Sequence, residues 1–146
     1  MPTILTHPAV PLALAWSRSR GRLSGRLLAA GIAASILPDL DVIAFRLDVP
    51  YAAAFGHRGF SHSLLCAGLV AALAAVFAPA LRAGRRESFL FVFLAAASHG
   101  VLDAFTNGGL GVPFLWPWST TRWFAPWRPI EVSPIGLAHF LSPRGR

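Results

Sequence analysis

Lysine is absent: all 13 basic residues are arginine, set against six acids, for a formal net charge of +7. Such an excess suits two kinds of polyanion, nucleic acid or the anionic headgroups of a bilayer. Placement speaks against nucleic acid, because the arginines fall in short connections between apolar runs and there is no basic helix or aromatic platform for stacking bases. Cysteine is nearly absent as well. Cys66 stands alone in an apolar run, so an internal disulfide and a cysteine-based structural zinc site are both excluded, and the thiol reads as a small hydrophobe. Also missing is a basic stretch ahead of the first apolar segment, whose arginines follow it. That order reverses a secretory signal, and the N-terminus is expected to belong to the fold. There is no internal repeat and no disordered linker, with only residues 142–146 expected to be loose.

What is present is apolar surface in blocks. The 146 residues are 55% hydrophobic and 13% charged, too few for two soluble domains and too apolar for one. A mean hydropathy of +0.57, with apolar runs separated by charged clusters, predicts one membrane-embedded all-α domain over residues 1–146. Four helical segments are expected. Residues 8–16 begin with proline in the first turn and are short for a crossing. Residues 27–37, extended backwards by Leu23 and Arg26 and ended by Pro38, give about 15 helical residues or about 22 Å. Residues 64–81 hold no charge over 18 positions and form the strongest transmembrane candidate, with Pro79 loosening the last turn. Residues 89–105 form the fourth, closed by Asn107-Gly108-Gly109. Beyond Gly109 the chain is rich in tryptophan and proline without helical or strand period, which predicts an interfacial loop. Arg122 and Arg128 there suit lipid phosphates, or else the loop folds over the bundle. Residues 135–141 are apolar but too short to span.

Helices that alternate in direction place successive connections at opposite ends of a bundle. Counting crossings puts Arg18, Arg20, Arg22 and Arg26 at the same end as Arg82, Arg85 and Arg86. The other end receives His7, Asp39, Asp41, His57, His62, His99 and Asp103, and of the histidines only His139 stays apart. By the positive-inside rule the arginine end faces the cytoplasm and the His/Asp end the extracytoplasmic side of a multi-pass protein.

Chemistry follows from that convergence. His99 and Asp103, four apart on a helix, share one face and can point to one ion. Asp39 and Asp41 follow a helix-ending proline, and in an extended backbone they would face one side and repel unless a cation lay between them. In Gly56-His57-Arg58-Gly59-Phe60-Ser61-His62-Ser63 the histidines are five apart and share no helical face. His57 is thus expected from the loop, which Gly56 and Gly59 allow to turn, and His62 from the first helical turn. Arg58 can fork onto a phosphate or carboxylate oxygen, or pair with an aspartate. His7 joins the set by its position, whereas His139 reads as an ordinary histidine. Without cysteine, imidazole and carboxylate ligands suit zinc, manganese or iron. Seven donors, His7, Asp39, Asp41, His57, His62, His99 and Asp103, exceed the needs of one tetrahedral ion, so either some support the others or two ions bind and drive hydrolysis. Asp41, His62 and Arg58 are the candidate catalytic residues.

These blocks, together with Leu37-Pro38-Asp39-Leu40-Asp41 and Gly111-Val112-Pro113-Phe114-Leu115-Trp116-Pro117, resemble the signature blocks of the membrane-bound metal-dependent hydrolase family, also described as LexA-binding, inner-membrane-associated hydrolases. The resemblance runs from His7 to about Arg128. Its His-x3-Asp arrangement is remotely similar to zinc-dependent phospholipase C. It implies a bacterial inner-membrane protein, one or two divalent metal ions, and hydrolysis of a phosphoester or ester in a lipid or lipid-linked substrate. The chain departs from the pattern at Val42, where members often carry a histidine. Two other functions use the same cluster: a non-catalytic metal-binding scaffold, and ion or metal transport. Transport would continue polar groups along the helices, yet residues 64–80 offer none beyond Cys66.

Overall fold

The computed structural model describes residues 6–18 and 23–132, so Arg20, Arg22, His139 and the stretches 135–141 and 142–146 lie outside the described residues. The described chain is helical, in the order α1 (Ala9–Trp16), α2 (Gly25–Ile36), a 3-10 helix (Leu37–Leu47), a 3-10 turn (Phe60–His62), α3 (Leu64–Val76) and α4 (Arg85–Ala104). Among the described residues no β-strand forms, and the segment after α4 makes only isolated bridges, Thr106 to Ile130 and Val112 to Trp123.

Two of the sequence expectations change. Pro38 follows the end of α2 at Ile36 as expected but does not end the helical path, which goes on as the 3-10 helix. It sits in the first turn of the 3-10 helix, where its missing N–H leaves no bond unmade, and the continuous helical path Gly25–Leu47 is long and apolar enough to cross a membrane. The 3-10 helix closes where Asp48 takes a left-handed conformation, φ 53°. The run 64–81, in contrast, is helical only to Val76, because Phe77 leaves the helix two residues ahead of Pro79, which disfavours helical geometry before it. Thirteen residues of α3 reach about 20 Å, short of a hydrocarbon core of about 30 Å, whereas the 20 residues of α4 match it.

Small side chains let the helices approach closely. Ala34 of α2, Ala67 and Ala71 of α3 and Ala96 of α4 are buried around Leu27, Phe91 and Val92. A Cβ at Gly31 would lie 2.3 Å from the Phe91 ring, so any larger residue there would force that ring to shift. Among the described residues two bonds join the helices at the arginine end. Arg18, after α1, pairs with Glu87 of α4 at 2.5 Å, and Arg26 of α2 donates to the Ala80 carbonyl beyond α3 at 3.0 Å. The tryptophan-rich loop folds over the other end. Val112 is fully buried there, and the Phe114 carbonyl accepts the Leu64 N–H at 3.0 Å, while Trp118 and Trp127 stay exposed. Arg122 takes no outward position: it donates to the carbonyls of Arg58 (2.9 Å) and Gly111 (3.4 Å), and Arg128 lies over the Phe124 ring.

Candidate metal centre

Four separate stretches of chain deliver the polar cluster. His7 precedes α1, Asp39 comes from the 3-10 helix, His62 from the 3-10 turn ahead of α3, and His99 and Asp103 from one face of α4. The turn that carries His62 is drawn tight by two glycines. A Cβ on Gly56 or Gly59 would stand 2.3 Å from a backbone carbonyl, that of Pro50 or Ala54. Close approach of backbone, rather than a left-handed conformation, is what these glycines permit. Ser63 then caps α3, accepting the Cys66 N–H at 3.1 Å.

His99 is fully buried, and its Nδ1 donates to the Ser35 carbonyl at 2.7 Å, since a carbonyl can only accept. Its lone pair therefore sits on Nε2. That atom faces His62 Nε2 at 3.1 Å, Asp39 Oδ1 at 3.4 Å and Asp103 Oδ2 at 3.8 Å. His62 is held the same way from behind. Ser61 Oγ donates to Asp41 at 2.6 Å and accepts from His62 Nδ1 at 2.9 Å, which turns His62 Nε2 inward toward Asp103 Oδ2 at 3.3 Å. Two imidazole nitrogens so placed meet lone pair to lone pair unless a cation, a proton or a metal, lies between them. His7 stacks on His99 with ring centroids 3.7 Å apart, and its buried Nδ1 has no hydrogen-bond partner. The donors form two overlapping groups able to hold a metal ion, His7, His99 and Asp103, and Asp39, His62 and His99.

Asp41 and His57 stand one layer further out. In a 3-10 helix, residues two apart diverge, so Asp39 turns to His7 and His99 while Asp41 turns the other way, not to the shared side expected of an extended strand. Asp41 accepts from His57 Nδ1 (2.5 Å), the Arg58 backbone N–H (3.1 Å) and Ser61, and faces His62 Nδ1 at 3.3 Å. The other neighbours of His57 are the rings of Phe45, Tyr51 and His62. Arg58, in a left-handed conformation at φ 57°, is buried and turned inward. Its Nε lies 3.0 Å from Asp103 Oδ2, and it donates to Thr106 Oγ1 and the Gly108 carbonyl at 2.9 Å each. Ser35, Ser61 and Thr106 carry no motif by themselves. The adjacency of Ser61 to His62 is the one signal in the sequence that could have found any of them.

The electrostatics of His7 and His62 differ. Burial, and then the neighbouring His99, lower His7 to about 4. Burial also opposes a charge on His62, yet hydrogen bonds to the Asp103 and Asp41 carboxylates raise it above its ordinary value. The surroundings of His62 thus favour its protonated form when no metal is bound.

The chain thus combines two helices long and apolar enough to cross a membrane with a buried His/Asp cluster able to hold a metal ion at one end. A family model, YdjM inner membrane protein, matches residues 1–144, and the chain belongs to that family. It is 44% identical over 146 residues to the inner membrane protein YbcI of Escherichia coli (strain K12), covering 99% of this chain and 84% of the relative. It is 36% identical over 107 residues to the inner membrane protein YdjM of the same organism, covering 66% of this chain and 50% of the relative. The YdjM of Shigella flexneri matches over the same extent. No solved structure matches. These names place the family in the inner membrane and carry no activity, substrate or metal.

Proposed function

We propose that this chain is a single-domain, membrane-bound hydrolase that holds a divalent metal, zinc foremost, and cleaves a phosphoester or ester of a lipid or lipid-linked substrate. The observation that carries the proposal is the 3.1 Å approach of the His62 and His99 Nε2 atoms, each with its opposite nitrogen engaged elsewhere. Such an arrangement costs free energy when empty of positive charge and fits a metal ion. His7, Asp39, His62, His99 and Asp103 would hold it, and the sharing of His99 between two donor groups leaves room for one ion or two. A bound divalent ion supplies Lewis acidity and a water activated at neutral pH.

The remaining residues position these donors. Asp41 and Ser61 fix the Nδ1 proton of His62 and so aim its Nε2. Asp41 is also the carboxylate nearest His57 and accepts a hydrogen bond from the proton-bearing Nδ1 of that ring, which fixes its orientation. Arg58 balances the Asp103 charge, so its part in the reaction is to set that carboxylate rather than to grip substrate. Asp39 has a side chain 20% exposed against 5% or less for Asp103, His62, His99 and His7, which marks the side from which substrate enters. Leu37, Leu40 and Ile43 are exposed on the same 3-10 helix, an apolar approach suited to an amphiphile.

The deep burial of four of the five donors favours one second reading, a closed, non-catalytic metal scaffold. Elemental analysis of the purified protein, followed by phospholipid and phosphoester hydrolysis with and without chelator, separates the two. Bound metal with chelator-sensitive turnover supports the hydrolase, bound metal without turnover supports the scaffold, and absence of metal overturns both. We also place the arginine end in the cytoplasm. A reporter active only outside the cell, fused at Gly84, is expected to stay silent, and a bright reporter there reverses the orientation.

A further inference from the structure

A second feature lies at the opposite end of the bundle and takes no part in the metal centre. An open groove of about 600 Å³ runs between α1 and α4, within the range of small-ligand sites. Its wall is apolar, formed by Leu14, Leu90, Phe91 and Leu94. Its mouth is charged, formed by Arg18, Arg86 and Glu87. From Arg86 to Leu94 the groove follows α4 for about 12 Å, so it grades from cationic at the bundle end to apolar toward the bilayer interior.

We propose that this groove binds an anionic phospholipid of the arginine-side leaflet, one acyl chain lying against Leu14, Leu90 and Leu94 and the phosphate between Arg18 and Arg86. Three observations select that occupant. The polarity gradient has the sense of a lipid in its leaflet, head at the bundle end and chain inward. The mouth carries two guanidinium groups to one carboxylate, and guanidinium forks match phosphate oxygens. Among the described residues Arg18 is held only by Glu87, with side chains 38% and 33% exposed, an arrangement that a phosphate can replace without uncovering a buried charge. Arg82 and Arg85, exposed at the same end, add to the positive potential that favours an anionic head over a zwitterionic one.

The test uses the full chain in detergent, with binding of phosphatidylglycerol and of phosphatidylcholine with matched acyl chains read by native mass spectrometry, and inorganic phosphate as a third probe. Phosphatidylglycerol is expected to bind preferentially, with the preference falling about fivefold for each of Arg18→Gln and Arg86→Gln. Leu94→Trp, which fills the groove, is expected to reduce binding of both lipids. Glu87→Gln is the informative variant. Loss of an Arg18 partner that served structure alone would leave lipid binding unchanged or weaker, whereas a phosphate site gains severalfold when its competing carboxylate is removed. Metal content and melting temperature of each variant report whether it has folded. Equal binding of the two lipids, an unchanged preference in both arginine variants, or a groove occupied by a second copy of the chain would overturn the proposal. Binding of inorganic phosphate as tight as that of lipid would overturn the part given to the acyl chain.

Discussion

At one end of the bundle His62 and Asp103 lie 3.3 Å apart with side chains 0% and 5% exposed; at the other Arg18 and Glu87 lie 2.5 Å apart with side chains 38% and 33% exposed. The shorter pair is the weaker one. Water and mobile ions screen the Arg18 pair, and holding two long side chains in place costs much of what their attraction returns. The His62 and Asp103 pair is shielded from water, so removing either partner leaves an uncompensated polar group in a medium that cannot solvate it. Charge at the arginine end acts on surroundings such as lipid, while charge at the His/Asp end acts on its own neighbours and on whatever cation joins them.

The sharpest way to break this contrast is to remove Asp103, which faces Arg58, His62 and His99 at once. Asp103→Ala strands the buried Arg58 guanidinium and is expected to cost about 3–5 kcal/mol of stability, together with metal binding. Chemical or thermal unfolding in detergent checks the first and elemental analysis the second. A loss below about 1 kcal/mol would mean that this end is solvated like the other. His99→Ala gives the complementary outcome, since it leaves the Arg58 and Asp103 pair whole and is expected to abolish metal binding at a smaller cost in stability.

Next in size is Asp41→Asn. Asp41 is bonded to His57, the Arg58 backbone and Ser61, and acts on the centre through His62 Nδ1. Removal of its charge is expected to lower metal affinity by about 10–100-fold, the range for groups that orient ligands, without removing a donor. Competition with a chelator measures this. A complete loss of metal would make Asp41 a ligand itself, and an unchanged affinity would leave His62 aimed by Ser61 alone.

The sequence laid open the convergence but not its layering. Asp39, His62, His99 and Asp103 were legible because ionisable groups in apolar helices are costly and because helices that alternate in direction gather their ends, and the Arg18 to Glu87 and Arg26 to Ala80 bonds join the arginine-bearing helix ends at one end of the bundle. What could not be read was that Pro38 would shift the helix into 3-10 geometry rather than end it, and this sends Asp39 and Asp41 to different neighbours. The extent of α3 was overread for a related reason. An uncharged run of residues says nothing of backbone direction, and Pro79 cuts the helix well inside the run. Arg122 shows a third limit: its partners are main-chain carbonyls, which no side-chain pattern announces.

In the proposed metal site proton and metal compete at the His/Asp end, so pH separates the two ends further. In the metal-free protein His62 is raised above its value in the unfolded chain, about 6.5. Its contribution to stability is fully present below that pH and is lost as pH rises through the raised value. His7, lowered to about 4, works in the opposite sense and costs stability as pH falls from about 6.5 toward 4. In the proposed site metal takes the place of that proton, so the gap in melting temperature between metal-loaded and metal-free protein is expected to widen over the interval upward from about pH 6.5. A gap that stays flat across this interval would mean that His62 is no ligand.

The smallest effect belongs to the arginine end. Arg18→Gln removes one side of a pair that ties α1 to α4, yet both groups stay in contact with water when parted. A change of about 0–1 kcal/mol in unfolding free energy is expected, shrinking further as salt is raised. Since Glu87 also accepts the Gly84 N–H at the start of α4, Glu87→Gln removes a charge from the helix N-terminus and is expected to cost slightly more than Arg18→Gln. Equal losses in the two variants at low salt would assign the whole effect to the ion pair. A loss of several kcal/mol in either would show that the pair is drier than its exposure indicates, and the two ends would then differ in sign of charge but not in how they hold it.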